Sequence, residues 1–318
     1  MGDIEHVTNE CAHMPLPTLT PRATGIACAI FSVLVWSGWM VLSSYSVRGH
    51  LNPYDITALR FATAGLILLP LALRRGIRIG PWGRWGALTL ALLMGAAYNT
   101  LAIAGMKLAP TSHASIIQTT VLVLSTVGAV WVLREKFTRL QAVGVALSIA
   151  GIAFLLMASG GSGDDHDALL QGHLMFMAAG AMWALYILLV RKWKADPLQV
   201  AAAVCCLSAL YFLPIYVLFL PSQLSWEYWQ EAAFQAVYQG IINSVFALIC
   251  YNRAVQYLGA AATSAFLPLI PVIASLMAMP VLGEFPNLME CSGIGLAAFG
   301  VIMATGIAGR FLKKKHIL

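Results

Sequence analysis

Long apolar runs alternate with short polar breaks along almost the whole chain. A helix of about 20 apolar residues is long enough to cross the hydrocarbon core of a bilayer. Windows of that length predict ten spans, which run over 23–45, 55–73, 85–107, 112–133, 139–157, 172–190, 198–219, 234–257, 261–282 and 288–309. The polar segment 158–171 divides them into two groups of five. The pattern therefore predicts an all-α membrane protein with ten transmembrane helices.

Composition supports the same class. Of 318 residues, 60% are hydrophobic and 10% are charged, and the mean hydropathy is +0.80, whereas a soluble domain carries about 25% charged residues. The net charge of +6 comes from short basic clusters between apolar runs, so the expected partner is the lipid bilayer and no nucleic acid is expected. The six cysteines have no paired metal-ligand spacing, so we expect neither a metal nor a cofactor.

Lysine and arginine predict the orientation. When the segments between spans are assigned to the two faces of the membrane, fifteen of these residues lie on one face. Three lie on the other, namely Arg48, Lys107 and Arg253, and Arg60 lies inside the second span. Basic loops stay in the cytoplasm, so both termini are expected there. The turn 283–287 is assigned to the same inner side, although it has no basic residue. We expect a disordered cytoplasmic segment over 1–21, a periplasmic linker over 158–171 and a basic cytoplasmic tail over 310–318.

The two groups of spans are related in sequence. Matching residues recur at nearly constant offsets of 144 to 149: Gly25 and Trp36 with Gly172 and Trp183, Pro53 and Pro70 with Pro197 and Pro214, and Glu135, Gly144 and Gly151 with Glu284, Gly293 and Gly300. The repeats are predicted to cover 22–157 and 172–309. Because five is an odd number, the second repeat enters from the opposite side, which predicts inverted repeats with a substrate site near the midplane between them.

The same residues carry a family resemblance. The series Pro268, Pro271, Gly283, Glu284, Gly293 and Gly300, the series Arg134, Glu135, Gly144 and Gly151, and Arg60 in the segment 58–61 resemble the EamA type of the drug/metabolite transporter superfamily over about 23–309. The resemblance implies ten helices, cytoplasmic termini and export or exchange of small metabolites across the bacterial inner membrane. The first half has no proline where the second has Pro271, so the helix break expected there is absent.

Polar and aromatic side chains deep in the spans are the candidates for a substrate pathway, because polar groups in lipid are costly unless they face the bundle or water. The prolines of the ninth span are expected to break it beside a cavity, with a structural kink as the alternative. For the others, packing or contacts between helices are the alternatives. The set is Trp36, Ser37, Trp39, Met40, Ser43, Tyr98, Asn99, Gln118, Thr119, Trp183, Tyr186, Asn243, Tyr251, Asn252, Thr263, Ser264, Pro268 and Pro271.

Charged candidates are few. Arg60 is expected to snorkel outward or to pair with Asp55, and the alternative is an anionic group of the substrate. Glu135 and Glu284 are assigned to inner helix ends as gating or capping residues. His113, near the outer end of the fourth span, makes a coupling proton a second candidate partner. The paired glycines of the fifth and tenth spans are expected to pack those helices, and 164–167 is expected to be a solvated loop.

These features favour a secondary transporter that exports a small metabolite such as an amino acid, as a monomer or homodimer. No acidic residue lies near the middle of a span, which argues against a proton-coupled exporter of cationic drugs. A permease for a nucleobase, nucleotide sugar or drug is the alternative. A membrane-embedded enzyme would need clustered acids, histidines or a nucleophile inside the bundle, and the sequence has no such constellation or phosphate-binding loop.

Overall fold

A computed structural model describes residues 20–135, 137–158 and 164–304, and over these ranges the chain is a bundle of long helices. Nine are long and apolar enough to cross a membrane, and the tenth is shorter, which confirms an all-α membrane protein. The helices are α1 (Pro21–Arg48), α2 (Pro53–Arg75), α3 (Arg84–Leu108), α4 (Thr111–Leu133), α5 (Arg139–Ala158), α6 (Asp164–Trp193), α7 (Pro197–Phe219), α8 (Trp226–Leu258), α9 (Ala260–Ser264 and Leu269–Leu282) and α10 (Leu288–Ala304).

Short polar residues determine where several helices begin. The Asn52 side chain accepts a hydrogen bond from the backbone N–H of Asp55, and the Asp55 carboxylate accepts one from the Asn52 N–H. Asp196 caps α7 in a related way. Each cap precedes a proline, Pro53 or Pro197, whose fixed φ suits the first helical position. The matched prolines therefore act as start signals for α2 and α7.

The interval between the two groups of helices differs from the sequence prediction. α6 begins at Asp164, so residues 164–171 are helical. The predictions of a linker over 158–171 and of a solvated loop over 164–167 are therefore wrong for these residues. Negative charge in a first turn is favourable because it meets the positive end of the helix dipole. Residues 159–163 lie outside the described residues. So do the predicted tail 310–318 and all of the predicted N-terminal segment before residue 20.

Three helices depart from regular α geometry. α3 is interrupted at Gly95, between Arg84–Met94 and Ala96–Leu108. α8 contains a π-helical stretch over Ala236–Phe246, a form that is often found at functional sites. α9 is interrupted between Ser264 and Leu269, where Pro268 forms the N-cap of the second segment. This confirms the expected break in the ninth span. In α4 the stretch Ser115–Leu133 is continuous, as the absence of a proline there predicts.

The helices pack in a definite set of pairs. α5 packs along α10 and α2 along α7; α4 packs against α6 and α1 against α9; α3 packs against α6 and α1 against α8. Glycines bring α5 and α10 into close contact. A Cβ added to Gly144 would lie 2.6 Å from the carbonyl oxygen of Gly300, and one added to Gly151 would lie 2.6 Å from that of Gly293. The predicted packing role of these glycines is confirmed.

Contacts also show which residues share an end of the bundle. We call the end where α1 begins the basic end and the other the opposite end. Arg48, the last residue of α1, pairs with Glu284, so Glu284 lies at the opposite end and its assignment to the inner side is wrong. Because the helices alternate in direction, Arg253, near the last turn of α8, lies at the basic end. With Arg253 assigned to the basic end, sixteen lysine and arginine residues belong to that side instead of fifteen, and two, Arg48 and Lys107, belong to the other side.

Candidate functional site

An aromatic cluster lies in the middle of the bundle. The rings of Trp39 and Tyr98 stack with their centroids 6.3 Å apart, and the Trp183 ring meets that of Tyr98 edge-on at 6.0 Å. Met40 packs in the same buried core. The indole Nε1 of Trp39 is buried and has no hydrogen-bond partner within the described residues. These three rings join both halves of the chain and leave one donor available to a ligand.

The Arg60 guanidinium lies beside this cluster. Its Nη1 donates to Asn99 Oδ1 at 2.8 Å, and Asn99 Nδ2 donates to Thr57 Oγ1 at 2.9 Å. The Tyr98 hydroxyl and the Cys205 thiol are within electrostatic range of Arg60. Nε of Arg60 is buried without a partner in the described part of the chain. The site therefore holds a positive charge in a largely apolar setting with donor capacity unused.

The expected pairing of Arg60 with Asp55 is wrong. Besides the cap of α2, Asp55 accepts hydrogen bonds from the Tyr216 hydroxyl at 2.6 Å, from Ser222 and from the Gln223 N–H. This carboxylate is fully buried and ties the start of α2 to the end of α7. Its hydrogen bonds stabilise the fold and leave Arg60 without a carboxylate partner within the described residues.

Asp55→Asn is expected to lower the free energy of unfolding by about 2 kcal/mol, because a neutral amide weakens charge-assisted hydrogen bonds and sets a donor against other donors. Thermal unfolding in detergent measures the effect. Asp167→Asn, at a largely exposed carboxylate, is the control and is expected to be neutral. Equal melting temperatures for Asp55→Asn and the unmodified protein would contradict the role of Asp55.

Polar side chains of α8 form a second buried group next to α1. Gln239 Nε2 donates to Ser43 Oγ at 2.8 Å and to Gln235 Oε1 at 3.0 Å. Within the described residues, the side-chain oxygens of Gln239 and Asn243 have no partner. Both amides lie in the π-helical stretch of α8. Unused amide oxygens are hydrogen-bond acceptors that a substrate amine can use.

One face of α4, with hydroxyl groups along it, runs from near the opposite end toward the basic end. Ser115 and Thr119 are one helical turn apart, and their hydroxyl oxygens are buried without partners in the described ranges. Farther along the same helix, Leu122 and Thr126 line a cavity of about 290 Å³ that also borders Glu135 and Arg191. Residues 115, 119, 122 and 126 share a face because their spacing is helical. This face links the cavity to the middle of the bundle.

The structure distributes the remaining candidates over several contacts. Trp36 and Tyr251 meet with their ring centroids 5.1 Å apart, and Ser37 donates to the carbonyl oxygen of Ile270, one of those near the break in α9. Tyr186 packs in a separate cluster of α3, α6 and α7, so it is not brought to the central site. Thr263 donates to the Gly259 carbonyl. Pro268 and Pro271 are buried, whereas Gln118, Asn252 and Ser264 are half-buried.

An ion pair lies at each end of the bundle. At the opposite end Arg48 pairs with Glu284 and also donates from Nε to Met106 O at 3.1 Å and from Nη2 to Ala109 O at 2.7 Å. Glu284 in turn accepts from the Thr111 N–H at 2.9 Å. At the basic end Arg191 pairs with Glu135, and both side chains are nearly half exposed. Among the described residues, the Arg48–Glu284 pair therefore makes more additional hydrogen bonds than the Arg191–Glu135 pair.

Several residues of the site are absent from the sequence-based set. Thr57, Ser115 and Gln239 are buried polar residues inside spans, and the polarity rule that selected Asn99 and Thr119 applies to them equally. His173 contacts His113 at the opposite end. Because successive helices run in opposite directions, α4 and α6 both begin at the opposite end, and the two histidines therefore lie at the same end.

Comparison with known proteins gives a family match. A model described as the EamA-like transporter family matches residues 23–157 and 170–306. A solved structure titled "Crystal structure of protein" aligns with a TM-score of 0.59 at 20% identity, covering 91% of this chain and 99% of that one. At that identity the likeness concerns the fold.

Curated relatives carry transporter names. The chain is 25% identical over 278 residues to "Uncharacterized transporter YyaM" of Bacillus subtilis, covering 84% of this chain and 88% of the relative. It is 24% identical over 205 residues to "Aromatic amino acid exporter YddG" of Ancylobacter novellus, covering 63% and 70%. It is 26% identical over 286 residues to "Probable terminal-alkyne amino-acid exporter" of Streptantibioticus cattleyicolor, covering 86% and 91%.

Proposed function

Because the chain belongs to the EamA-like transporter family, we propose that it is a secondary transporter that exports a small metabolite, an amino acid, by alternating access. The observation that carries this proposal is the Arg60 guanidinium, which is held by Asn99 beside aromatic rings and whose Nε has no partner among the described residues. A partly buried cation of this kind matches a carboxylate, because arginine binds carboxylates with two parallel hydrogen bonds.

The surrounding side chains suit the rest of an amino acid. The rings of Trp39, Tyr98 and Trp183 offer an apolar surface for a large side chain. The free amide oxygens of Gln239 and Asn243 are acceptors for an ammonium group. Two relatives named as amino-acid exporters support the same substrate class. A nucleobase or nucleotide sugar remains the alternative solute in the assay below.

The helix pairs support an inverted-repeat mechanism. Exchanging each helix of α1–α5 with its counterpart in α6–α10 leaves the pairs α5–α10 and α2–α7 unchanged and converts α4–α6 into α9–α1. The pair Gly144–Gly300 becomes Gly293–Gly151 under the same exchange. A pseudo-two-fold axis in the membrane plane accounts for this pattern, and such repeats alternate access by rocking about a central site.

We assign the two ion pairs to gates at the two ends. With the basic end in the cytoplasm, Arg48–Glu284 closes the outer side and Arg191–Glu135 the inner side. A cavity of about 290 Å³ lies next to Glu135 on the inner side, and one of about 310 Å³ lies next to Arg48 on the outer side. Because both ion pairs are formed, we interpret this conformation as closed at both ends, between the states that receive and release a substrate during export from the bacterial inner membrane.

Transport by purified protein in liposomes tests the function. Vesicles loaded with unlabelled phenylalanine or leucine are expected to take up the labelled amino acid by exchange. Empty vesicles and vesicles holding an unrelated membrane protein are the controls. If no amino acid exchanges with or without an ion gradient, the substrate class is wrong. Competition with nucleobases and nucleotide sugars then distinguishes the alternative permease.

Glu284→Gln is expected to shift the conformational equilibrium toward outer opening, because the neutral amide weakens the outer ion pair. Spin labels at Lys107→Cys and Phe285→Cys, exposed positions on either side of that pair, report the change as a longer distance. The background protein has its native cysteines replaced and retains transport. Glu135→Gln is expected to favour the short distance. Glu227→Gln, an exposed residue near the same end, is the control, and identical distributions in all variants would contradict the gates.

A further inference from the structure

A chain of three ionisable side chains crosses the opposite end of the bundle. His113 Nδ1 lies 2.8 Å from His173 Nε2, and His113 Nε2 lies 3.2 Å from Glu290 Oε1. The two histidines are 1% and 3% exposed, and the Glu290 side chain is 15% exposed. His113 comes from the first half of the chain, while His173 and Glu290 come from the second. The contact therefore joins the two halves.

Its members are held in place by their own elements. His113 lies in the 3-10 turn that opens α4, where its N–H donates to the Pro110 carbonyl. Glu290 lies in the first turn of α10, where Oε2 accepts from the Asn287 N–H at 2.8 Å and the Glu290 N–H donates to Asn287 Oδ1 at 2.9 Å. The other carboxylate oxygen, Oε1, contacts His113. The three groups are thus preorganised rather than loosely adjacent.

The hydrogen-bond chain accommodates two protonation states. With both rings neutral, His173 Nε2–H donates to His113 Nδ1, and His113 Nε2–H donates to the Glu290 carboxylate. One added proton makes His113 an imidazolium that donates from both nitrogens, and His173 then accepts at Nε2 and carries its proton on Nδ1. Neither hydrogen bond is lost in the second state. The charge of the three groups changes from minus one to zero.

We propose that His113, His173 and Glu290 form a proton-binding site that latches the opposite end of the bundle when it is protonated. Protonation converts the His113–Glu290 contact from a hydrogen bond between a neutral imidazole and a carboxylate into an ion pair, which adds the attraction of two opposite charges at a largely buried site. Because this contact joins the two halves, the proton stabilises the conformation in which the opposite end is closed. The latch rests on the alternating access proposed above, in which that end faces outward.

Other charged and titratable groups surround the three residues. The turn between α9 and α10 contributes Glu284, whose charge acts on His113 and is paired with Arg48 of α1. α6 contributes His166, whose charge acts on His173. α3 ends near Lys107, which is exposed. Of the acidic groups around the site, Glu290 hydrogen-bonds directly to His113, so its charge acts on the ring more strongly than that of Glu284.

The spin-label pair at Lys107→Cys and Phe285→Cys tests the latch directly. Lowering the pH from about 8 to about 4.5, about two units below the ordinary pKa of histidine because both rings are buried, is expected to reduce the ratio of long to short distances about fivefold. His113→Asn and His173→Asn are expected to make this ratio independent of pH. His50→Asn is the matched control, because His50 also pairs with a glutamate at this end but is half exposed.

Three results would overturn the latch: no pH response in the parent protein, a response that survives His113→Asn, or a response that is lost equally in His50→Asn. A misfolded variant is recognised by its size-exclusion profile, and His113→Gln then replaces His113→Asn. Flux is measured on the same preparations. A normal pH response without amino-acid flux contradicts the proposed function alone, whereas normal flux with a pH-independent distance distribution contradicts the latch alone.

Discussion

Arg60→Ala is expected to lower kcat/KM for amino-acid exchange about 100-fold. A desolvated charge pair that loses one partner costs about 3 kcal/mol, because the other charge is left without compensation, and that energy corresponds to about a factor of 100. The Arg60 side chain is anchored through Asn99, and its Nε has no partner in the part of the chain that the structure describes. Liposome exchange with labelled phenylalanine or leucine measures the loss.

Two further variants make the Arg60 result specific. Arg60→Lys keeps the positive charge but not the planar pair of donors, so it is expected to retain intermediate activity. Arg253→Ala removes an exposed arginine of α8 that lies outside the central site and is expected to change kcat/KM less than twofold. Full exchange by a correctly folded Arg60→Ala variant would contradict the role of the guanidinium. An equal loss in Arg253→Ala would indicate a general effect of charge.

Gly151→Val is expected to separate α5 from α10 and to destabilise the bundle by at least about 3 kcal/mol, the upper range for overpacking a tight contact. A Cβ at this position would lie 2.6 Å from both the Ala297 N and the Gly293 carbonyl oxygen. Backbone atoms cannot rotate away as a side chain can, so the helices themselves must move. The melting temperature in detergent is expected to fall by more than about 5 °C.

Gly295→Val provides a matched control on α10. A Cβ at Gly295 would have no heavy atom within 4 Å, so the same substitution adds volume without a clash and is expected to leave the melting temperature nearly unchanged. Gly144→Val is expected to resemble Gly151→Val, because its Cβ would lie 2.6 Å from the Gly300 carbonyl oxygen. Equal melting temperatures for Gly151→Val and Gly295→Val would contradict close packing as the reason for these glycines.

Helix number and class follow from local sequence because the bilayer requires it. Each span must be apolar and satisfy its own backbone hydrogen bonds, so a window of hydropathy detects it without knowledge of its neighbours. The break in α9 is visible for the same reason, since Pro268 has no N–H to donate. By contrast, the helical state of 164–171 is not visible in hydropathy, because that segment is polar although it continues α6.

The contact partners of polar side chains, by contrast, do not follow from local sequence. Asp55 lies five residues before Arg60, and proximity along the chain favoured an ion pair. In the structure that carboxylate is engaged by Tyr216, Ser222 and Gln223 of α7 and the following turn. Arg60 instead reaches Asn99 of α3. Both outcomes depend on which helices are adjacent, and helix adjacency leaves almost no trace in a single sequence.

The sequence alone determined the membrane class, the duplication and the packing role of the glycines in α5 and α10. These depend on composition, on residues that recur at a nearly constant offset along the chain, or on a spacing within one helix. Only the tertiary structure decided that Arg60 has no carboxylate partner in the described residues, that Glu284 lies at the end opposite Glu135, and that His113 meets His173 and Glu290. These contacts join helices far apart in sequence, because long-range packing brings together groups that the local pattern cannot relate.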